Sequence, residues 1–429
     1  MNDNLLLAIP CLYILPLLYL CYIINRGFSM QIIPIIFVFI CFAFAPYSML
    51  IKTVVLAAPP FEAMNYLGYN WALWLIPLLF VKKIRNINED VAIGEKDFEK
   101  MLSIVAFIST AATVLLIKNF PKIFAANIAD LRLDAEWSAT FYEFIGFQLC
   151  SVFPFTFFFW GLSLSIHNVA GWKRNLLLIG SFCEPLHVLF FYGRDGLIQW
   201  FLLAVLSLAL FSPFFKVKIN KRKLICLFVF WGVILALFFW IISVSRMKTR
   251  TTAEDVNSNA FWLLTVDYCI QIPKNFVAVY DVNNFFSYRP IAHVFPFIKR
   301  FSLPYDPIEA SYLSEEYRSY FFVQYGYDKN VFSSFIGSLC GLFGKTTCSI
   351  ISISACVFFS FLFSVSRKTI GYYYLVYFYC FSLLLNFFYL KYSMGIQPWI
   401  MVSISFAFFI YYNSKKDVSP QIKPLEPSK

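Results

Sequence analysis

The sequence predicts an all-α, polytopic integral membrane protein with about eleven transmembrane helices and one large extracytoplasmic loop late in the chain. Three observations predict it. Of 429 residues, 60% are hydrophobic and 21% aromatic. Only 14% are charged, against about 25% in a soluble domain. The apolar residues also fall into runs of spanning length, separated by short basic clusters. Disorder is excluded by 53 Phe, 26 Tyr and 10 Trp. A zinc-finger or disulfide scaffold is excluded because the 11 Cys are dispersed and mostly sit inside apolar runs.

A hydrocarbon core of about 30 Å takes roughly 20 residues of helix. In chain order the runs are Leu5–Ile24, Gln31–Ile51, Ala63–Val81, Met101–Ile117, Phe144–Ile166, Asn175–Tyr192, Leu197–Phe215, Leu224–Val244, Thr346–Val365, Thr369–Leu390 and Met394–Asn413. The first is too long for a signal h-region and lacks a basic segment before it and a small-residue cleavage site after it, so it is read as a span. The fourth is the shortest. Residues 1–244 then form an amino-terminal bundle of about eight helices. Residues 245–345 form the large periplasmic loop, 346–413 the carboxyl-terminal helices and 414–429 a tail.

Orientation follows from the basic residues. Alternate connections collect nineteen of the 35 Lys and Arg in the shorter set of loops, with Lys82, Lys83, Lys173, Arg174, Lys216 to Lys223, Arg367 and Lys368 among them. Positive charge marks the cytoplasmic side, which puts the amino terminus outside and the carboxyl terminus in the cytoplasm. The net charge of +11 is thereby spent on topology and on anionic membrane lipids. No contiguous basic domain is left for nucleic acid.

Two outer loops are long. Residues 118–143 contain the Leu131–Asp134 run, read as a short amphipathic helix. The loop from Ser245 to Lys345 is rich in aromatic residues and proline; its Phe261–Tyr280 stretch, with Asp267, Pro273 and Lys274, is read as lying on or dipping into the membrane. Cys269, Cys340 and Cys348 are the thiols placed at the outer side, where two of them are free to pair.

The segment Cys183-Glu184-Pro185-Leu186-His187 followed by Tyr192-Gly193-Arg194-Asp195-Gly196 carries the chemistry. Ionisable groups inside a span are costly and face a partner or a polar cavity. On a continuous helix His187 lies about 60° and Arg194 about 80° from Glu184, with Glu184 about 15 Å deeper than Arg194. Pro185 places a kink at Glu184. Two readings stand. In one, Arg194 grips an anionic group while Glu184 and His187 supply or remove a proton, with Asp195 a further carboxylate or the partner of Arg194. In the other, Glu184 and His187 form an interhelical hydrogen bond and Arg194 is an interfacial anchor. Arg246, Lys248 and Arg250 follow the eighth span on the side where positive charge is scarce, as expected for contact with an anionic lipid-linked ligand. Arg289, Arg300 and Arg318 of the same loop are candidates to line a phosphate or sugar path. No P-loop or dinucleotide fingerprint occurs, and with 3 His a His-rich metal centre is not expected; the sequence assigns neither a metal nor a cofactor.

On Tyr192-Gly193-Arg194-Asp195-Gly196-Leu197, and on Asn330-Val331-Phe332 through Gly341-Leu342-Phe343-Gly344, the chain resembles the O-antigen polymerase (Wzy) family. Leu342 stands where many relatives carry Asp. The resemblance implies glycosyl transfer between repeat units carried on undecaprenyl diphosphate, at the periplasmic face of the inner membrane. It also implies Arg194 as the diphosphate-binding residue, no nucleotide-sugar donor, and a chain-length regulator and a flippase as partners. His187 or Glu184 as the base follows from position rather than from the resemblance. An O-antigen ligase shares this shape and chemistry. A flippase for the same lipid-linked unit is the rival from another class, and the long outer loop argues against it.

Overall fold

A computed structural model describes residues 3–25, 29–46, 61–84, 95–124, 140–165, 169–190, 195–215, 272–273, 276, 280, 334–387 and 397–414. Among them every regular element is helical. The α-helices are α1 (Pro10–Asn25), α2 (Ile32–Phe44), α3 (Phe61–Leu75), α4 (Glu95–Leu116), α5 (Phe141–Leu149), α6 (Phe153–Ser165), α7 (Gly171–Gly180), α8 (Cys183–Phe190), α9 (Asp195–Phe211), α10 (Ser334–Val365), α11 (Ile370–Leu385) and α12 (Gln397–Ser414). Among the described residues, five helical stretches are long and apolar enough to cross a membrane: Leu5–Asn25, Asp97–Pro121, Phe141–Ser165, Gly196–Phe214 and Phe343–Val365. Ile32–Phe44 and Ile370–Leu385 are shorter apolar helices. The eighth expected span, residues 224–244, lies outside the described residues.

The core is built around α11. Its sequence is apolar on every face, the pattern of a helix surrounded by other helices, and Tyr372 to Phe381 are all buried. Buried tyrosine hydroxyls need partners, and four neighbouring elements supply them to Tyr372, Tyr374, Tyr377 and Tyr379. Tyr377 donates to the Leu203 carbonyl (3.0 Å), Tyr379 to that of Trp74 (2.7 Å) and Tyr372 to that of Phe363 (3.2 Å). Tyr374 shares a hydrogen bond with the Ser405 hydroxyl (3.2 Å) and stacks on Phe155 with centroids 3.9 Å apart. Each hydroxyl thus fixes the height of one packed helix.

Lysines close one end of the bundle. Lys82 Nζ donates to the Ser366 carbonyl just beyond α10 (2.8 Å) and Lys83 Nζ to that of Asn25 at the end of α1 (3.2 Å). Cations there satisfy the carbonyls that a helix C-terminus leaves unpaired. At the same end the Arg367 backbone N–H donates to Asn413 Oδ1 at the end of α12 (3.2 Å).

Several expectations are corrected. The fourth run, expected to be the shortest, is the 22-residue α4; it begins at Glu95 because a charged first turn extends the helix beyond the apolar stretch. The carboxyl-terminal unit begins at Ser334, within the expected loop: Phe335, Ile336, Leu339 and Cys340 are buried, and the helix bends at Gly344, where φ is 79°. Only glycine adopts that conformation without strain. From the loop's middle, Ile272 and Phe276 are also buried, and Phe276 stacks on Tyr66 (6.1 Å). Cys340 and Cys348 are free thiols; Cys269 and Leu131–Asp134 lie outside the described residues.

The sixth run is interrupted. It forms α7 and α8, separated by a turn at Ser181–Phe182, and α8 ends at Phe190. The kink lies there rather than at Glu184. A proline ring clashes with the carbonyl four residues earlier and offers it no N–H, and for Pro185 that carbonyl is Ser181's. Pro185 itself sits in the first turn of α8, where a missing N–H costs nothing. The neighbouring helix absorbs the freed carbonyls, with the Thr113 hydroxyl of α4 3.2 Å from both the Ile179 and Gly180 oxygens.

Close approach of α4 and α7 requires Gly180. A Cβ there would lie 2.0 Å from Ser109 Oγ and 3.0 Å from the Ser109 backbone carbon. Gly180→Ala should therefore destabilise the protein by about 1–3 kcal/mol through overpacking. Thermal unfolding in detergent checks this, with Gly171→Ala as the control; a Cβ at Gly171 meets nothing within 4 Å.

Candidate functional site

The break before α8 brings a carboxylate into the interior. Cys183, Glu184 and Pro185 make the first turn, and Glu184 is 1% exposed. A carboxylate this deeply buried costs several kcal/mol unless hydrogen-bonded or paired. One oxygen, Oε2, has two partners: His187 Nδ1 at 3.1 Å and Gln397 Nε2, which donates at 3.0 Å. Glu184 and His187 are related as i and i+3, so they meet on one flank of α8, as the sequence spacing predicts.

Aromatic and polar side chains surround the pair. The Phe147 ring of α5 lies 4.7 Å from the imidazole, and Phe190 packs on Phe147 at 5.0 Å. The imidazole, 14% exposed, is the less buried member of the pair. Gln397, the first residue of α12, is buried, and its carbonyl lies 3.4 Å from the Ser151 hydroxyl. Trp200 of α9 donates its indole N–H to Ser181 Oγ at the helix break (2.7 Å). Helix α5 is anchored by a capping box between Thr140 and Glu143 and by the Lys118–Glu143 ion pair (3.1 Å).

This brings Cys150 to the pair. It opens the 3-10 turn Cys150–Val152 between α5 and α6 and is fully buried. Its sulfur, a Glu184 oxygen and a His187 nitrogen lie within 4.8 Å of one another. Cys183 stands beside it, thiol to thiol. Among the described residues this is the one group of three or more His, Cys, Asp and Glu placed to share an ion.

Helix α8 spans Cys183–Phe190 and α9 opens at Asp195. The start of α9 lies against the first turn of α8: a Cβ at Gly196 would be 3.0 Å from both the Glu184 carbonyl oxygen and Pro185 Cα. A bare glycine is what lets the two backbones approach. Asp195 is the first residue of α9, while Arg194, Arg246, Lys248, Arg250, Arg289, Arg300 and Arg318 lie outside the described residues.

Sequence reasoning missed Cys150 and Gln397. A signal existed for both. Gln148, Cys150 and Ser151 interrupt the fifth apolar run, and Gln397 lies inside the eleventh; polar residues inside a span are expensive and need partners. No family model, no curated protein and no solved structure matches the chain.

Proposed function

We propose that this protein polymerises undecaprenyl-diphosphate-linked oligosaccharide repeat units into O-antigen or a related surface polysaccharide, at the periplasmic face of a bacterial inner membrane. The observation that carries the reading is the buried Glu184–His187–Gln397 cluster in the helix leading directly into Tyr192-Gly193-Arg194-Asp195-Gly196. Transfer displaces a lipid diphosphate from an anomeric carbon. It needs positive charge on the leaving group and a base on the acceptor hydroxyl. Arg194 fills the first role and the Glu184–His187 pair the second, with Asp195 orienting Arg194. Arg246, Lys248, Arg250, Arg289, Arg300 and Arg318 guide the anionic lipid-linked units.

About eleven spans, a periplasmic amino terminus and a cytoplasmic carboxyl terminus complete the reading. The lysine-rich end, where Lys82, Lys83, Asn25, Ser366 and Asn413 meet, supports this topology, because all of these positions fall on its cytoplasmic side. The first residues of α9 and α12, beside Glu184, fall on the opposite side.

Deleting the gene tests the proposal. In the native strain, gel profiles of surface polysaccharide should collapse from long ladders to single repeat units capping the lipid A core. A complete loss of capping would instead indicate the ligase or the flippase, and intact ladders would exclude all three.

A further inference from the structure

The polymerase reading leaves Cys150 without a role, although its thiol faces the only buried carboxylate–imidazole pair among the described residues. We propose that Cys150, Glu184 and His187 form a zinc-binding site. The donors come from two elements, the Cys150–Val152 turn and α8, which the capped helix α5 and the kink before α8 hold in fixed register.

Distances support the assignment. With Zn–S of about 2.3 Å and Zn–N and Zn–O of about 2.1 Å, tetrahedral ligand atoms lie roughly 3.4–3.6 Å apart. The imidazole nitrogen and carboxylate oxygen are 3.1 Å apart, and all three donors fall within 4.8 Å. Shortening the longest of these separations by about 1 Å closes the set to coordination distance.

Charge and donor type select the ion. A thiolate and a carboxylate together neutralise a dication, so the occupied site carries no net charge, as apolar surroundings demand. The ion displaces the thiol proton on binding. Magnesium and calcium take oxygen donors, and copper(I) prefers sulfur without carboxylate; the mixed sulfur, nitrogen and oxygen set suits zinc. Outer contacts resemble those that tune metal ligands: Gln397 Nε2 donates to Glu184 Oε2 and Cys183 lies against Cys150. Three protein ligands leave the fourth tetrahedral position for a water or a substrate oxygen, the coordination of a catalytic rather than a structural zinc; the ion takes the two atoms that form the Glu184–His187 hydrogen bond, so the pair serves as the base only where zinc is not bound.

The test uses the full-length protein purified in detergent, without substrate. Elemental analysis should find about one zinc per chain. After zinc is stripped, cobalt(II) should produce tetrahedral visible bands and a thiolate charge-transfer band in the near ultraviolet. Cys150→Ser should lose that band and bind zinc at least about tenfold more weakly. Cys380→Ser, a buried thiol in α11, should change neither. Should Cys150→Ser fail to fold, wild-type protein still decides: zinc X-ray absorption should show a sulfur ligand at about 2.3 Å beside lighter ligands at about 2.1 Å. Zinc well below one per chain, a charge-transfer band that survives Cys150→Ser, or a zinc absorption spectrum without a sulfur ligand would each overturn the site. Intact polysaccharide ladders in the deletion strain would remove the polymerase and leave a zinc measured on purified protein standing; a zinc-free protein whose loss collapses the ladders would do the reverse.

Discussion

Strains carrying Arg194→Ala should display single repeat units on the lipid A core, with the protein present in the membrane at its normal level. The expected loss of polymerising rate is about 10²–10³-fold, the usual effect of removing one preorganised donor from a developing negative charge. In the proposed reaction that charge is the diphosphate, which must leave as the anomeric carbon is attacked. A guanidinium presents a planar fork to phosphate oxygens, whereas an ammonium offers only a point charge. Arg194→Lys should therefore recover part of the ladder and not all of it. Wild-type ladders from Arg194→Ala would remove Arg194 from the reaction.

Glu184→Gln and His187→Ala should each reduce polymerisation by about 10²–10⁴-fold, the range for loss of general acid–base assistance. The first is the more discriminating. Gln matches Glu in shape and can still accept the hydrogen bond from Gln397, so packing is retained. A neutral amide also costs less to bury than a carboxylate. A pure packing role therefore predicts unchanged ladders and an unchanged unfolding midpoint for Glu184→Gln, whereas the proton-transfer role predicts lost ladders at that same midpoint. His187→Ala also opens a space beside Phe147, whose ring lies 4.7 Å away, so its ladders are read against protein recovered. Wild-type rates from both variants would restore the packing interpretation. Both also remove a ligand of the proposed zinc; Cys150→Ser spares the pair and separates the two roles.

The helices were legible because the signal is local. A run such as Phe343–Val365 declares itself through its own composition, whichever helices surround it. The Glu184–His187 contact was legible for the same reason, since i,i+3 spacing on a helix is enough to bring the side chains together. The break at Ser181–Phe182 was misplaced because a proline acts on the carbonyl one turn before it, while the sequence draws attention to the residue adjoining the ring. The start of α10 was placed late because Gly344 reads as the end of a loop, although a single positive-φ residue bends a helix that had already begun at Ser334.

By itself the sequence determined an all-helical, apolar chain and a carboxylate–imidazole pair on one flank of a helix. Composition and short-range spacing contain that information. Only the tertiary structure decided what surrounds the pair: a thiol from the Cys150–Val152 turn, an amide 213 residues distant at Gln397, and the glycine start of α9 on Glu184's own turn. Those neighbours are set by the packing of α5, α8, α9 and α12. Packing depends on the shapes and hydrogen bonds of helices remote in sequence, such as the tyrosines of α11, and no local pattern encodes it.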